Sequence, residues 1–374
     1  IFNPLNDSLR TCGKTLHEKM SRFFRGERSG FVEVGPDKYF LPKKYEEDAM
    51  KLHSFRPRPD DTWIVTFPRS GTTLTQELIW LVSTGLDFEG ARATPLYERF
   101  PFIDRQSHNS VCDVADFLSY LFFKRKTTQQ QFFKTAVIFL LCARKILKKL
   151  QGMMSTALAD ACAPAYEILE KAESPRFIKT HLPFSLLPQD LLQSGAKVIY
   201  VARNPKDVAV SYFHLHKFFR TLDFKGDFNQ FWDFFENNHG KHLFSVLWAP
   251  YWSHIKEGWQ SRSNPNVCFL FYEDITKVSS ASLLGEGISP EGTEKLLSHL
   301  NIKNFRSNSS VNFDPLRELG FLQGDSRLFI REGKTDGSRD YYSAELSRRV
   351  ERWVEENIKQ ISGFQFPKML NQSG

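Results

Sequence analysis

Lys179 and His181 stand two residues apart in Phe177-Ile178-Lys179-Thr180-His181-Leu182-Pro183. An extended chain puts side chains at that spacing on one face. An imidazole can take a proton from a substrate hydroxyl near neutral pH, while an ammonium stabilises charge on a group in transit. A surface histidine beside a lysine has the same pattern, so the pair gains meaning only from company. That company starts at Phe67-Pro68-Arg69-Ser70-Gly71-Thr72-Thr73. Backbone N–H groups at a helix start converge there, Gly71 admits a close anion, and Ser70, Thr72, Thr73 and Arg69 add hydroxyls and charge. The expected result is a phosphate cradle; an ordinary Ser/Thr helix cap is the plain alternative. It is not the nucleoside-triphosphate loop, because G-x-x-x-x-G-K-[ST] is absent.

A second anion grip is expected in Arg203-Asn204-Pro205-Lys206-Asp207, with Ser211 about two helical turns on; a surface Arg203–Asp207 ion pair would read the same way. Tyr272 could stack on a base or simply fill core. Arg331-Glu332-Gly333-Lys334 is a charged late loop, weak by itself. No H-E-x-x-H or related spacing appears, so no catalytic metal is expected.

These groups need strands and helices to hold them. Trp63–Phe67, Val198–Val201 and Val267–Tyr272 read as strands, and helices follow from Gly71 to Thr84 and from Pro205. Alternating strands and helices predict a three-layer α/β fold with a central parallel sheet flanked by helices. Strand ends followed at once by polar residues predict one ligand-facing rim. A single domain over residues 1–374 is expected, with residues 1–30 as an N-terminal extension. Residues 104–174 form a helical insertion around the apolar helix Thr128–Leu150. Phe132, Phe133 and Phe139 there are candidate acceptor lining under a lid, or plain core, or a membrane contact. Ser279–Gly292 reads as a Ser/Gly-rich loop.

The chain has 374 residues, with 50 Lys and Arg against 43 Asp and Glu, a net charge of +7 that suits an anionic ligand and falls short of a nucleic-acid binder. Its 35 phenylalanines predict a large aromatic core. The longest uncharged apolar stretch, Ala136–Ala143, is too short to span a bilayer, and no basic-then-apolar leader opens the sequence. Five scattered cysteines, none in C-x-x-C, predict reduced thiols and a cytoplasmic protein.

Taken in order, these segments resemble the cytosolic sulfotransferases. That family carries a P-K-S-G-T-T loop, a K-T-H motif, R-N-x-K-D-V-A-V-S-Y, a Y-E-D strand end and a late R-K-G loop. The likeness runs from about Phe31 to the C-terminal region. Arg69–Thr73 followed by Thr75-Gln76-Glu77-Leu78, with Gly35-Pro36 upstream, is most similar to the insect branch that includes retinol dehydratase. The resemblance implies a 3′-phosphoadenosine 5′-phosphosulfate (PAPS) co-substrate, its 5′-phosphosulfate on Arg69–Thr73 and its 3′-phosphate on Arg203, Ser211, Arg331 and Gly333. It also implies Tyr272 at the adenine, Lys179 on the sulfuryl group and His181 as general base toward a hydroxyl of a phenol, sterol or retinoid. Two other outcomes stay open: a dehydratase-like loss of sulfate, and a nucleotide binder with impaired catalysis.

The sequence departs from the family in several places. Arg69 replaces the loop lysine, Leu74 a tryptophan, and Glu332 the lysine of the late loop. Asp336-Gly337-Ser338 lacks that loop's aromatic. The family's dimer segment is missing around Arg339–Arg348, so a homodimer is left open. The expected partner is a hydrophobic small molecule, with no nucleic acid and no stable membrane insertion.

Overall fold

The computed structural model describes residues 30–104, 164–219, 222–236, 245–277, 288–312 and 339–367, with residues 10–11, 18, 20, 22–25 and 330. It divides into two compact units, Ile1–Asp104 with Glu173–Gly374, and Arg105–Ala172. The described part of the second is a short helix, Ala165–Lys171. The expected helix Thr128–Leu150, with Phe132, Phe133 and Phe139, lies outside the described residues.

The first unit opens with a small antiparallel sheet of β1 (Arg10–Thr11), β2 (Phe31–Val34) and β3 (Tyr39–Pro42). The main sheet holds β4 (Thr62–Thr66), β5 (Phe177–Thr180), β6 (Lys197–Ala202) and β7 (Val267–Phe271), all parallel, in the order β5-β4-β6-β7. β4 is buried throughout, as its Trp-Ile-Val centre dictates for a strand covered on both faces. From β4 the chain pairs β5 on one side and then crosses to β6 on the other. The carboxyl end of β4 is therefore a topological switch point, the crevice where open α/β sheets bind ligands.

The far end of the sheet is pinned by charge. Arg176 forks onto Asp61 through Nε–Oδ1 at 2.7 Å and Nη2–Oδ2 at 2.6 Å, both side chains being buried. The backbone of the same two residues starts the ladders: Thr62 N–H donates to the Arg176 carbonyl and Lys197 N–H to that of Asp61. Register is thus set where β4, β5 and β6 begin.

Two layers of helix cover the sheet. On one face Ile64, Ile199 and Val201 meet Leu74 and Leu78 of α1 (Thr72–Ser83). After β6 comes α2 (Pro205–Phe218), where Pro205 at the first turn and the Asn204 side chain accepting from Lys206 N–H form the start expected of that sequence. α3 (Phe228–Glu236) and α4 (Tyr251–Ser261) follow. α4 lies on the opposite face, so close that a Cβ on Gly258 would sit 2.5 Å from Cζ of Tyr200.

Two expectations are adjusted. The third strand stops at Phe271, and Tyr272 opens α5 (Tyr272–Lys277) instead of ending a strand. The Ser/Gly-rich connection ends before Gly292, because Ser289 caps α6 (Pro290–Leu300) by accepting from Gly292 N–H at 3.1 Å. The last element among the described residues, α7 (Ala344–Ile358), buries Leu346, Val350 and Trp353. No helix among the described residues is long and apolar enough to cross a membrane.

Candidate active site

The carboxyl ends of all four parallel strands carry polar residues onto one rim, one end more than the sequence rhythm implies. After β4 the chain turns sharply: Ser70 N–H donates to the Phe67 carbonyl at 3.2 Å, with Arg69 at φ 70° and Gly71 at φ 98°. Left-handed backbone costs Arg69 strain that glycine would not feel, and such strain persists only where neighbours over-determine it. Here Arg203 Nη1 donates to the Arg69 carbonyl at 3.0 Å and Arg69 Nε to the Ser211 hydroxyl at 2.9 Å. Arg203 and Ser211 therefore sit against the loop itself, and the two expected anion grips adjoin.

Gly71 is required twice over. It occupies the cap position of α1, and a Cβ there would fall 2.2 Å from Cδ2 of Tyr272. With glycine at that position, no Ser/Thr side chain caps the helix. Thr75 N–H takes the Gly71 carbonyl at 3.0 Å, so the first-turn N–H groups before it have no helical acceptor. Ser70 is buried, and its hydroxyl has no partner among the described residues, as is true of Arg203 Nε. Buried donors left unpaired are costly. Together with the open N–H groups of the first turn, they fit an anion. Thr72 is buried with its hydroxyl 2.7 Å from that of Thr66, and Thr73 is half-buried on the first turn.

Tyr272 lies flat under charge: the Arg203 guanidinium carbon is 4.1 Å from its ring centroid. The adjacent Glu273 is buried and accepts from Asn204 N–H at 2.7 Å, tying the ends of β6 and β7 together. Burial lifts its carboxyl above the usual range, opposed by that hydrogen bond and by Arg203. Tyr251 of α4 donates its hydroxyl to the Arg203 carbonyl. Arg331 and Gly333 lie outside the described residues.

Lys179 and His181 meet at Phe102. The Lys179 ammonium is 4.3 Å from the Phe102 ring centroid, and the His181 ring is 5.0 Å from it. His181 is buried, with Nδ1 2.8 Å from the Thr66 carbonyl at the end of β4. A carbonyl only accepts, so Nδ1 carries the proton and Nε2 is the basic nitrogen. Burial pushes the imidazole well below its ordinary pKa, helped by the charge of Lys179; His254 and Arg69 act in the same direction, and the Thr66 bond opposes them. Burial also lowers Lys179 to about 8, with Asp104 opposing and Arg69 assisting. The histidine is thus neutral at physiological pH, its Nε2 unprotonated, beside a lysine that is mostly still charged.

Several neighbours went unread in the sequence. Asp104 accepts from His181 N–H and from the Trp248 indole. His254, which has no motif around it, places Nε2 3.1 Å from the His181 carbonyl and is backed by the Tyr200 hydroxyl at 2.7 Å from its Nδ1. Trp248 holds φ 61° while its N–H donates to the Phe40 carbonyl of β3. These partners come from distant segments, and the only hint in the chain is that Asp104 closes Pro101-Phe102-Ile103-Asp104, an apolar run ended by an acid. Among the described residues no group of three or more His, Cys, Asp or Glu is arranged to hold a metal.

The sequence pattern of the sulfotransferase domain matches residues 59–362. Luciferin sulfotransferase of Photinus pyralis is 27% identical over 365 residues, 95% of this chain and 85% of that protein. Among solved structures, retinol dehydratase in complex with androsterone and inactive cofactor PAP superposes with a TM-score of 0.78 at 30% identity, covering 98% of this chain and 100% of that one. The same enzyme with retinol and PAP gives 0.74 at 29%, over 98% and 100%. With its parallel sheet, its strained loop at the switch point and a matching domain over most of its length, the chain belongs to the sulfotransferase family.

Proposed function

We propose that the protein moves the sulfuryl group of PAPS to a hydroxyl of a hydrophobic small molecule, with His181 as general base. The observation that carries this reading is a buried, neutral imidazole whose proton is fixed on Nδ1, two residues from Lys179 and bonded to the strand that leads into the anion loop. When bound, the co-substrate supplies the sulfuryl group and a phosphate acidic enough to leave without a proton. Ser70, the first-turn N–H groups of α1 and Arg69 would hold the phosphosulfate end. Arg203 and Ser211 would take the 3′-phosphate, with Arg331 and Gly333 as the family pattern adds. Tyr272 offers a ring for the adenine. Complexes of retinol dehydratase with PAP support the same choice of nucleotide. His181 Nε2 accepts the acceptor's proton, and Lys179 balances charge on the group in transit; the work is positioning and electrostatics. Arg69 contributes fixed charge, since a guanidinium does not give up a proton.

The test is His181→Ala with labelled donor and a panel of phenols, sterols and retinoids. Transfer should fall at least about a thousandfold, within the scale of general-base loss, while calorimetric binding of adenosine 3′,5′-bisphosphate is unchanged. Wild-type turnover in the variant sinks the role given to His181.

A second reading, elimination, is favoured by the likeness to retinol dehydratase and by the aromatic rings beside His181. Phe102 lies 5.0 Å and Trp248 5.4 Å from the imidazole, ring centre to ring centre. Faces of that kind stabilise positive charge. In this outcome sulfate leaves an allylic sulfate ester with the C–O bonding pair, and a neighbouring C–H proton passes to a base while its bonding pair forms the alkene. Product analysis with retinol separates the two readings: a sulfate ester supports transfer alone, an added double bond supports elimination.

A further inference from the structure

The stretch Pro101–Asp104 lies along the outer edge of β5. Lys179 N–H donates to the Pro101 carbonyl and Ile103 N–H to the Lys179 carbonyl, each at 3.0 Å. This short ladder delivers the Asp104 carboxylate to the next peptide, where His181 N–H stands 3.3 Å from both oxygens. The Trp248 indole N–H adds a bond at 3.2 Å to Oδ2, and the Thr180 hydroxyl adds another. The Thr180 oxygen itself accepts from Leu182 N–H at 3.0 Å, so its proton is available to give. A buried carboxylate is tolerated when several donors converge on it, and charge-assisted bonds of this kind are stronger than neutral ones.

We propose that Asp104 is a positioning residue for the transfer reaction: one buried carboxylate fixes the backbone of His181 and the indole of Trp248 against each other, setting the imidazole between its two aromatic walls. The proposal rests on the reading of His181 as the base. Asp104 acts through others, because its oxygens are occupied by His181, Trp248 and Thr180. Its anchoring also explains how Trp248, a bulky residue in a left-handed conformation, is held: the backbone is pinned to Phe40 and the ring to Asp104. The charge has a second effect. The ionisable groups facing Asp104 are Lys179 from β5 and Tyr45 from the helix Tyr45–Ser54, His181 meeting it through its backbone N–H, while Arg69 faces Lys179 from the loop after β4. The carboxylate holds Lys179 protonated against the pull of burial.

Asp104→Asn tests geometry and charge together, because a carboxamide has one acceptor oxygen and presents an NH2 where the second donor arrives. The expected result is a kcat lowered about tenfold to a hundredfold, the scale of a small misplacement of a catalytic group. Adenosine 3′,5′-bisphosphate affinity should be unchanged while the melting temperature falls modestly for the mismatched buried donor, and the alkaline limb of the pH profile should move to lower pH as Lys179 loses its support. Asp104→Glu restores the charge on a longer arm, so the alkaline limb should return while kcat stays low; it also serves if the asparagine variant does not fold. Wild-type kcat in either soluble variant overturns the proposal. So does a loss of nucleotide affinity and melting temperature in step with kcat, which marks a plain structural role. His181→Ala is run alongside: if it keeps full turnover the base reading falls, whereas a dead His181→Ala with an unimpaired Asp104→Asn removes the positioning role alone.

Discussion

On the proposed mechanism, the chemistry turns on where protons rest on Lys179 and His181. His181 is stripped of its proton by burial and by the positive charge of Lys179, so the usual imidazole titration is absent from the neutral range. Lys179 itself holds a proton up to about 8, because burial outweighs the help from Asp104. For the free enzyme this sets the sign of the pH response. kcat/KM for the sulfuryl donor should fall as pH rises through about 8, where the ammonium that meets the anion is lost. On the acid side the decline should begin near 6, where burial has raised Asp104, and no separate step should mark an ordinary histidine. Rates across that range in a constant-ionic-strength buffer check both limbs; a plateau continuing well above the lysine limb would show that its charge is not used. Arg69 enters the same balance as a permanent cation bonded to Ser211, so replacing the family's lysine alters geometry more than charge.

At the scale of elements, the site is a turn held between strand and helix ends, and one missing side chain decides its shape. Gly71 has a left-handed φ of 98° and the Tyr272 ring where a Cβ would be. Gly71→Ala therefore meets two costs at once, backbone strain and displacement of an aromatic ring that also supports Arg203. Nucleotide affinity should drop about tenfold or more, as expected for about 1–2 kcal/mol of left-handed strain added to a collision. Calorimetry checks this, and unchanged binding would mean that neither loop nor Tyr272 contributes. This turn was legible in the chain because Gly and hydroxyl residues between a β-branched run and a helical repeat have few other uses. The shared position of Lys179 and His181, which both reach Phe102, was legible from their spacing, their meaning only from the motifs around them. Tyr272 was placed at a strand end, since the run Phe269-Leu270-Phe271-Tyr272 has uniform strand propensity and nothing local marks the helix start. Asp104 and Trp248 were not legible at all: they meet across 144 residues, and Asp104 reaches His181 across 77. Such contacts follow from sheet order, which short-range patterns do not encode.

At the scale of the whole molecule, the phenylalanine-rich composition becomes a web of rings that runs from beneath the loop after β4 to α7. Phe67, at the end of β4, packs edge-on against Tyr212, Phe235, Tyr251 and His254. Phe235 and Tyr251 in turn contact Trp353 of α7, which also meets Trp232 at 5.4 Å and Trp252 at 5.6 Å. The outer side of this contact carries charge, with Arg349 on Asp233 at 2.8 Å and on Glu236. Those groups are well exposed in part, so the ion pairs add little and the rings carry the attachment. Trp353→Ala should then cost about 3–5 kcal/mol, the usual result of emptying a large aromatic site in a packed core. Urea unfolding would show it as a lower midpoint with an unchanged slope. The effect should also reach the site, because Tyr251 loses a wall of its pocket while its hydroxyl holds the Arg203 carbonyl. Nucleotide binding in the folded variant should weaken, and less than in Gly71→Ala, since the contact is one residue removed. A midpoint equal to wild type would show that α7 rests on its ion pairs, and the link from α7 to the loop after β4 would be broken.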